Sequence, residues 1–341
     1  MRVVVIGGTG FIGSQVLACL APRHQVTVLH RGRHNPILPA GVRVLRGNRD
    51  SLAEHAALFR GEPPDVVLDM IAGDARHARA TVDAFRGVAA RLVTASSIDV
   101  YRAYEIALGR AAGPLEPVPL SEDAPLRTVH YPYRDNPNVS ALFDWVTPDY
   151  EKIVVEQVVR SEPELRATIL RLPMVYGPGD PLHRFQAFLK RMDDGRPAIL
   201  LEESWARWQG PLGYVGNVAA AIALAIENEA AAGRTYNVAE PEPLSWADWA
   251  AAVGAAAGWH GRILSLPRDL TPKHLLPPFN AEQHWSADST RIRRELDYRE
   301  TISRAEALAR TVAWERVNPA PVDPAAFDYA AEDAAILSYS R

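Results

Sequence analysis

Three glycines near the start of the chain have the spacing of a phosphate-binding loop. Gly7, Gly10 and Gly13 follow the apolar residues 3–6 and precede an apolar helical pattern over 11–20. The first glycine permits a sharp turn, the second lets a pyrophosphate approach the backbone, and the third lets the helix pack on the strand. Free N–H groups at the helix start then bind the anion.

The glycine spacing therefore predicts a dinucleotide site. Its alternative interpretation is an ordinary tight turn between a strand and a helix. The residues assigned to the cofactor in this loop are Gly7, Thr9, Gly10, Phe11, Ile12 and Gly13.

Arginines follow the second predicted strand, where the adenosine ribose would lie. An acid at that strand end favours NAD, whereas an arginine favours the additional phosphate of NADP. The sequence there is His30-Arg31-Gly32-Arg33, with two arginines and no acid. Arg31 and Arg33 therefore predict NADP, with NAD the less favoured cofactor, unless these arginines are merely solvated loop residues.

Strand and helix patterns alternate through the first half of the chain. Short apolar runs predict strands at 3–6, 25–29, 43–46, 65–69 and 91–95. Right-handed crossovers between them give an α/β fold, a doubly wound parallel Rossmann sheet with helices on both faces. Ligands bind at the carboxyl ends of such strands, which is where polar clusters such as Ser96-Ser97 occur.

The alternation divides the chain into two regions. Residues 1–172 form the expected dinucleotide-binding domain, interrupted by an irregular, proline-rich and tyrosine-rich insertion at 101–148. A long irregular segment of this kind is usually functional. Residues 173–341 form a smaller, mostly helical substrate-binding region, of which 214–240 is expected to return to the core.

Composition narrows the class of protein. The chain has 341 residues, 48% of them hydrophobic, and a net charge of −4. This balance makes nucleic acid an improbable partner and gives no reason to expect membrane binding. One cysteine, no secretory signal and an apolar run of only nine residues at 218–226 predict a cytoplasmic protein. No histidine or cysteine cluster has the spacing of a metal site.

Several motifs together resemble the extended short-chain dehydrogenase/reductase superfamily, often labelled NAD-dependent epimerase/dehydratase. They are the glycine loop, the serines before Val100-Tyr101, Lys152-x-x-x-Glu156, and the stretch 171–180. The resemblance implies a nicotinamide cofactor, with strand-end residues around it. Those residues are Asn48, Arg49, Met70, Ile71, Ala72, Lys152, Leu172, Pro173 and Met174.

The resemblance also implies a catalytic set. In this family a tyrosine exchanges a proton with the substrate oxygen, a lysine four residues later lowers the tyrosine pKa and holds the ribose, and a serine binds the oxygen. Ser97 and Lys152 match the serine and the lysine, but the tyrosine position holds Pro148. Thr147-Pro148 is instead typical of a helix start, which predicts a helix over 149–160.

Tyr150 is the nearest phenol, two residues before Lys152. Two helical residues are about 200° apart, so both side chains can face one cofactor only if the helix starts late or is distorted at its first turn. Tyr150 is the predicted acid/base, and its alternative is an interfacial packing role. Other substitutes in the irregular insertion are Tyr101, Tyr104, Tyr131 and Tyr133.

Two further expectations concern ligands and partners. A substrate pocket is predicted from Tyr101, Tyr131, His183, Trp205 and Trp208, with Arg184 as a further candidate and packing as the alternative for the tryptophans. Ile153 and the four valines that follow it within 154–159 cover about 240° of a helical wheel, which is too wide for one core face. We therefore expect a homodimer through helices 75–86 and 149–160.

Two functions fit the sequence. The first is an NADP-dependent oxidoreductase or epimerase acting on a small hydroxylated or carbonyl compound, such as a sugar-like molecule or natural-product intermediate. The second is a cofactor-binding protein without redox turnover, such as an RNA-binding or regulatory relative. Pro148 favours the second function, whereas Ser97 and Lys152 favour the first.

Overall fold

Seven parallel strands form the central sheet of the computed structural model, which describes residues 1–32, 37–134 and 146–339. The strands are β1 (Arg2–Ile6), β2 (Gln25–His30), β3 (Arg43–Arg46), β4 (Val66–Asp69), β5 (Arg91–Ser97), β6 (Thr168–Leu172) and β10 (Thr235–Asn237). Their order in the sheet is β10-β6-β5-β4-β1-β2-β3. Strands are therefore added first to one side of β1 and then, from β4 onward, to the other side.

Helices cover both faces of this sheet. On one face α1 (Phe11–Leu20) packs with α8 (Val215–Glu227), and on the other α3 (Ala75–Phe85) packs with α5 (Lys152–Arg160). Because both faces are buried, β4 and β6 are buried along their whole length. The predicted doubly wound Rossmann fold is confirmed.

The rest of the chain builds a smaller region beside the carboxyl ends of the strands. It contains two parallel strand pairs, β7 (Met174–Tyr176) with β9 (Leu212–Tyr214), and β8 (Ala198–Glu202) with β11 (Arg262–Leu266). From this region the chain returns to the central sheet, where β10 pairs with β6. The remaining helices are α2 (Ala56–Gly61), α4 (Arg102–Ala107), α6 (Gln186–Asp193), α7 (Glu203–Arg207), α9 (Trp246–Ala257), α10 (Thr290–Leu296), α11 (Arg304–Val317) and α12 (Tyr329–Tyr339).

Helix α5 starts later than the sequence predicts. The Thr147–Pro148 pair forms a turn, in which the Tyr150 N–H donates to the Thr147 carbonyl at 3.0 Å. The helix begins at Lys152 and is capped by Glu151, whose carboxylate accepts from the Ile153 N–H at 3.0 Å. The predicted start at 149 is therefore wrong, because Glu151 satisfies the first N–H groups in place of Thr147.

The valines of α5 are largely covered by their own chain. Val155 and Val159 are buried in the core beneath the sheet, while Val154 and Val158 are half-buried. The homodimer expected through α3 and α5 stays a prediction. Among residues 1–32, 37–134 and 146–339, no helix is long and apolar enough to cross a membrane.

Candidate active site

A cavity of about 730 Å³ opens at the carboxyl ends of β1, β4, β5 and β6. The glycine loop and the start of α1 line one side, and the start of α5 lines the opposite side. The cavity thus lies where the strand order reverses, the usual ligand position in open parallel sheets.

The glycine loop fits a dinucleotide phosphate. Gly7 has φ +82°, a conformation that other residues rarely adopt, and a Cβ on Gly13 would lie 2.7 Å from the Gly8 backbone. A Cβ on Gly10 would meet nothing within 4 Å, so this position faces open space in the cavity. Gly10 is the N-cap residue before α1, so the helix has no capping side chain there, and it has no acid in its first turn. Its first N–H groups are therefore available to an anion.

Most of the predicted cofactor residues line the cavity, and a few do not. The cavity is lined by Gly7, Gly10, Phe11, Ile12, Gly13, Met70, Ile71, Lys152, Leu172, Pro173 and Met174. Thr9 and Ala72 do not line it, although the Ala72 carbonyl accepts a hydrogen bond from Lys152.

Arg49, which was predicted to bind the cofactor, lies instead in a buried ion pair. Arg49 is buried and forms a paired hydrogen bond with Asp69, both distances being 3.0 Å. It thus neutralises the carboxylate at the end of the central strand β4 and is not available to a cofactor phosphate. Asn48 and Arg31 are exposed, and Arg33 lies outside the described residues.

Arg46 is a candidate cofactor-binding residue that the sequence motifs did not include. It ends β3, and the side chain lies 3.8 Å from the position of a Cβ on Gly32. The sequence places Arg46 on a strand but does not show that this strand ends beside Arg31. The pairing of β2 with β3 brings the two arginines to the same sheet edge.

Ser97, Tyr150 and Lys152 all line the cavity. The late start of α5 makes this possible, because Glu151 is extended, with φ −158° and ψ 97°. Residues on either side of an extended residue point to the same side, whereas in a helix they would point apart. The Ser97 hydroxyl hydrogen-bonds to Tyr150. The structure thus brings together the three predicted catalytic side chains that the two-residue spacing had set in opposition.

Lys152 is held rigidly. Its Nζ donates to the carbonyls of Ala72 at 2.7 Å and Ala95 at 2.8 Å, and lies 5.7 Å from the centre of the Tyr150 ring. Burial lowers the pKa of Lys152 to about 8. The amine is therefore mostly cationic at neutral pH but easily neutralised.

A carboxyl group adjoins Tyr150. The Tyr150 hydroxyl donates to Asp99 Oδ2 at 3.2 Å, and the Tyr133 hydroxyl donates to the same oxygen at 2.9 Å. Burial and the charge of Asp99 raise the pKa of Tyr150 well above its usual value of 10. At neutral pH the phenol is thus protonated, and its proton is directed at Asp99.

No motif in the sequence singles out Asp99 as a site residue. The available signal was its position two residues after Ser97, just past a strand end at the ligand-binding edge. Tyr104 and Tyr133, considered only as substitute phenols, line the cavity with Asp99 and Trp285.

The predicted substrate residues mostly lie elsewhere. Tyr101 is buried and its hydroxyl bonds to Asn237 and Arg171, so it ties β10 and β6 to the segment after β5. The Tyr131 side chain stacks under Arg134, at 3.9 Å from guanidinium carbon to ring centre. Neither residue lines the cavity.

His183 and the two tryptophans also have structural positions. His183 bonds to Glu315 at 2.6 Å and stacks on Trp314, whereas its neighbour Arg184 lines the cavity. Trp205 and Trp208 pack face to edge or tilted against other aromatic rings of the smaller region. The packing interpretation of the tryptophans is the one the structure supports.

The described parts of the chain contain no group of three or more His, Cys, Asp or Glu residues that could hold a metal ion. What the cavity offers is a protonated phenol, a buried amine, a serine hydroxyl and a carboxyl group beside an open helix start. This set suits hydride and proton exchange at a carbon that bears oxygen.

Comparison with known proteins agrees with this geometry. The model of the NAD dependent epimerase/dehydratase family matches residues 3–135 and 148–239. The chain is 29% identical to 2'-dehydrokanamycin reductase of Streptomyces kanamyceticus, over 93% of this chain and 76% of that protein. It is 30% identical to a 3-diazoavenalumate denitrifying reductase of a Streptomyces species, over 73% of this chain and 79% of that protein.

A solved structure shows the same fold. The UDP-glucose 4-epimerase of Thermus thermophilus, in complex with NAD, superposes with a TM-score of 0.61 at 22% identity. The match covers 93% of this chain and 99% of the epimerase.

Proposed function

The chain belongs to the NAD dependent epimerase/dehydratase family of NAD(P)-dependent enzymes, and on that premise we propose that it is an NADP-dependent oxidoreductase or epimerase. Its substrate is a small hydroxylated or carbonyl compound, sugar-like or a natural-product intermediate, as the reductase relatives suggest. The observation that carries this proposal is the convergence of Ser97, Tyr150 and Lys152 on one cavity with the open start of α1.

The division of labour follows from the positions of the side chains. The cofactor, when bound, exchanges a hydride with the carbon that bears the reacting oxygen. Tyr150 gives a proton to that oxygen or takes one from it, and Ser97 positions the same oxygen by a hydrogen bond. Lys152 contributes a cation close to the phenol, anchored by two backbone carbonyls.

The preference for NADP rests on charge at one sheet edge. No acid occurs among residues 30–35, and Arg31 and Arg46 stand at the ends of β2 and β3. Two guanidinium groups there favour an extra phosphate, to which arginine binds in a paired geometry.

Single substitutions test the cofactor choice. We expect Arg46→Ala to weaken NADPH binding by about tenfold and to leave NADH binding within twofold, because one charge-assisted contact is worth about 1.4 kcal/mol. Arg43→Ala is the matched control, since Arg43 lies on the same strand but pairs with Glu62. Equal losses for NADPH and NADH in Arg46→Ala would contradict the assignment.

Turnover tests the enzymatic function. NADPH binding is titrated by tryptophan fluorescence, and oxidation of NADPH is then followed with a panel of ketones, among them keto-sugars. Tyr150→Phe should lower kcat by about 10²-fold or more without changing the Kd for NADPH. Tight binding with no oxidation by any substrate would instead favour a protein that only holds its cofactor.

The homodimer is a further part of the proposal. Val154 on α5 is half-buried in the single chain, at a position where a second copy of α3 and α5 could cover it. Sedimentation velocity should give a dimer for the natural protein and a monomer for Val154→Asp. A monomer for the natural protein at micromolar concentration would remove the dimer.

A further inference from the structure

Asp99 has one carboxyl oxygen engaged and the other free. Oδ2 accepts hydrogen bonds from the Tyr150 and Tyr133 hydroxyls, whereas Oδ1 has no hydrogen-bond partner among the described residues. The residue is only 7% exposed, yet it lines the cavity. A buried polar oxygen without a partner costs about 1–3 kcal/mol, so its retention at this place needs an explanation.

The hydrogen bonds to the other carboxyl oxygen, Oδ2, indicate what Asp99 does in the site. Tyr150 donates its proton to Asp99, which leaves the Tyr150 oxygen able to accept a proton from the side that faces the cavity. Tyr104 donates to Tyr133 at 3.0 Å and Tyr133 donates to Asp99, so the carboxyl group ends a series of two hydroxyl donors and accepts from Tyr150 separately.

We propose that Asp99 is the proton reservoir of the site, which takes the Tyr150 proton when the substrate is oxidised and returns it when the substrate is reduced. This inference rests on the proposed oxidoreductase function and names a positioning residue that acts through Tyr150. Its geometry is the direct hydrogen bond from the Tyr150 hydroxyl to Asp99 Oδ2, along which the proton passes to the carboxyl group and returns.

The proton balance is complete in both directions. In oxidation the alcohol carbon would give up a hydride, which a bound oxidised nicotinamide would accept, and the alcohol O–H proton goes to the Tyr150 oxygen. The former Tyr150 proton passes to Asp99, and the O–H bonding pair becomes the second bond of the carbonyl. In reduction the protonated Asp99 gives its proton to Tyr150 while Tyr150 protonates the carbonyl oxygen.

Charges around the carboxyl group allow it to change protonation state. Burial raises the pKa of Asp99, while Arg127, whose Nε donates to the Asp99 backbone carbonyl at 2.5 Å, opposes that rise. The titratable and charged groups that face Asp99 are Tyr104, Tyr133, Tyr150, Glu151, Lys152 and Arg127.

The kinetic test separates kcat from KM. Asp99→Asn keeps the size and an accepting oxygen but cannot take up the proton, so we expect kcat to fall by about tenfold or more in both directions. KM and the Kd for NADPH should stay within twofold. Tyr133→Phe, which removes a donor but not the carboxyl group, should lower kcat only severalfold.

A rescue experiment covers the case of misfolding. Asp99→Ala leaves space for a small carboxylate, and formate should restore a large part of its kcat while leaving Asp99→Asn unchanged. The control is Glu122→Gln, which replaces a buried carboxyl group outside the cavity and should keep full activity. Activity of Asp99→Asn within twofold of the natural protein would overturn the proposal.

A spectroscopic test needs no turnover. In cofactor-free protein with ¹³C-carboxyl aspartate, the Asp99 resonance is assigned by its loss in Asp99→Asn and titrated by NMR. Tyr150→Phe removes a donor to the carboxylate, so the midpoint should move to higher pH. An unchanged midpoint overturns the inference even if ketones are reduced. If no ketone is reduced but the midpoint moves, the oxidoreductase function fails and the proton coupling stands.

Discussion

Two helix starts line the same cavity, and only one of them is capped by a side chain of the protein. Helix α1 has a glycine, Gly10, as its N-cap residue and no acid in its first turn. Helix α5 begins behind Glu151, a 1% exposed carboxylate that accepts from Ile153 and from Arg127. One start leaves its N–H groups open to a ligand, while the other is closed by the protein itself.

The difference shows how one kind of element serves two purposes. An open start provides a partial positive charge and free donors, which suits an anionic phosphate. A closed start has a capped N–H that is no longer offered to a ligand, and its cap fixes the direction of the neighbouring side chains. Because Glu151 is anchored by Arg127 and by the Tyr131 N–H at 2.7 Å, Tyr150 and Lys152 are held side by side.

The largest expected effect concerns the closed start. Glu151→Ala leaves Arg127 buried without its carboxylate partner, and we expect the free energy of unfolding to fall by about 3–5 kcal/mol. Urea denaturation followed by circular dichroism measures it. Glu151→Gln, which keeps an accepting oxygen, should lose less than Glu151→Ala. A loss below about 1 kcal/mol for Glu151→Ala would show that the cap does not hold the site.

The open start should respond in the reverse sense. Gly10→Asp adds a cap with room for its side chain, which should raise stability by roughly a few tenths of a kcal/mol, since glycine is itself tolerated at an N-cap. The same carboxylate should weaken NADPH binding at least about 100-fold, because it places a negative charge against the phosphates. Gly10→Asn has the same shape without the charge and should bind NADPH more tightly than Gly10→Asp. Equal affinity of the two variants would place the phosphates elsewhere.

A pH dependence follows from the cation at the closed start. Burial lowers the Lys152 pKa from 10.5 to about 8, so the unfolded chain binds more protons than the folded one between these values. Stability relative to Lys152→Met should therefore rise with pH, by about 2 kcal/mol between pH 7 and pH 9.5. Urea denaturation of both proteins across this range checks it. A difference independent of pH would mean that Lys152 titrates normally.

The smallest effect is expected at an exposed helix start. Ser245 caps α9 at the surface, with its hydroxyl accepting from the Asp248 N–H at 3.1 Å in a capping box. Ser245→Ala should cost about 1 kcal/mol of stability and leave NADPH binding unchanged. A loss as large as that of Glu151→Ala would erase the distinction between a local cap and one that anchors the site.

Much of the fold could be predicted from the sequence because local periodicity encodes it. The predicted range 11–20 of α1 agrees with the structure, and the first five strands were located within two residues at either end. The strands of the smaller region, β7, β8, β9 and β11, were not predicted, because strands of three to five residues carry little pattern of their own.

Site residues were predictable where a motif acts through its own backbone. The glycine loop needs only neighbouring residues to form its turn, so Gly7, Gly10 and Gly13 could be placed from spacing alone. Arg49 and Tyr101 could not, because their partners Asp69 and Asn237 are distant in the sequence. The same polar side chain can bind a ligand or stabilise a sheet edge, and only its partners decide which.

The sequence by itself determined the class of fold and the glycine-rich turn after β1, since both follow from residue types at short, regular intervals. Only the tertiary structure decided the arrangement opposite that turn. Thr147-Pro148 predicts a helix start, but the buried pair of Glu151 with Arg127, from the irregular insertion, delays the helix to Lys152. A buried charge pair outweighs a local capping preference because breaking it costs several times more free energy.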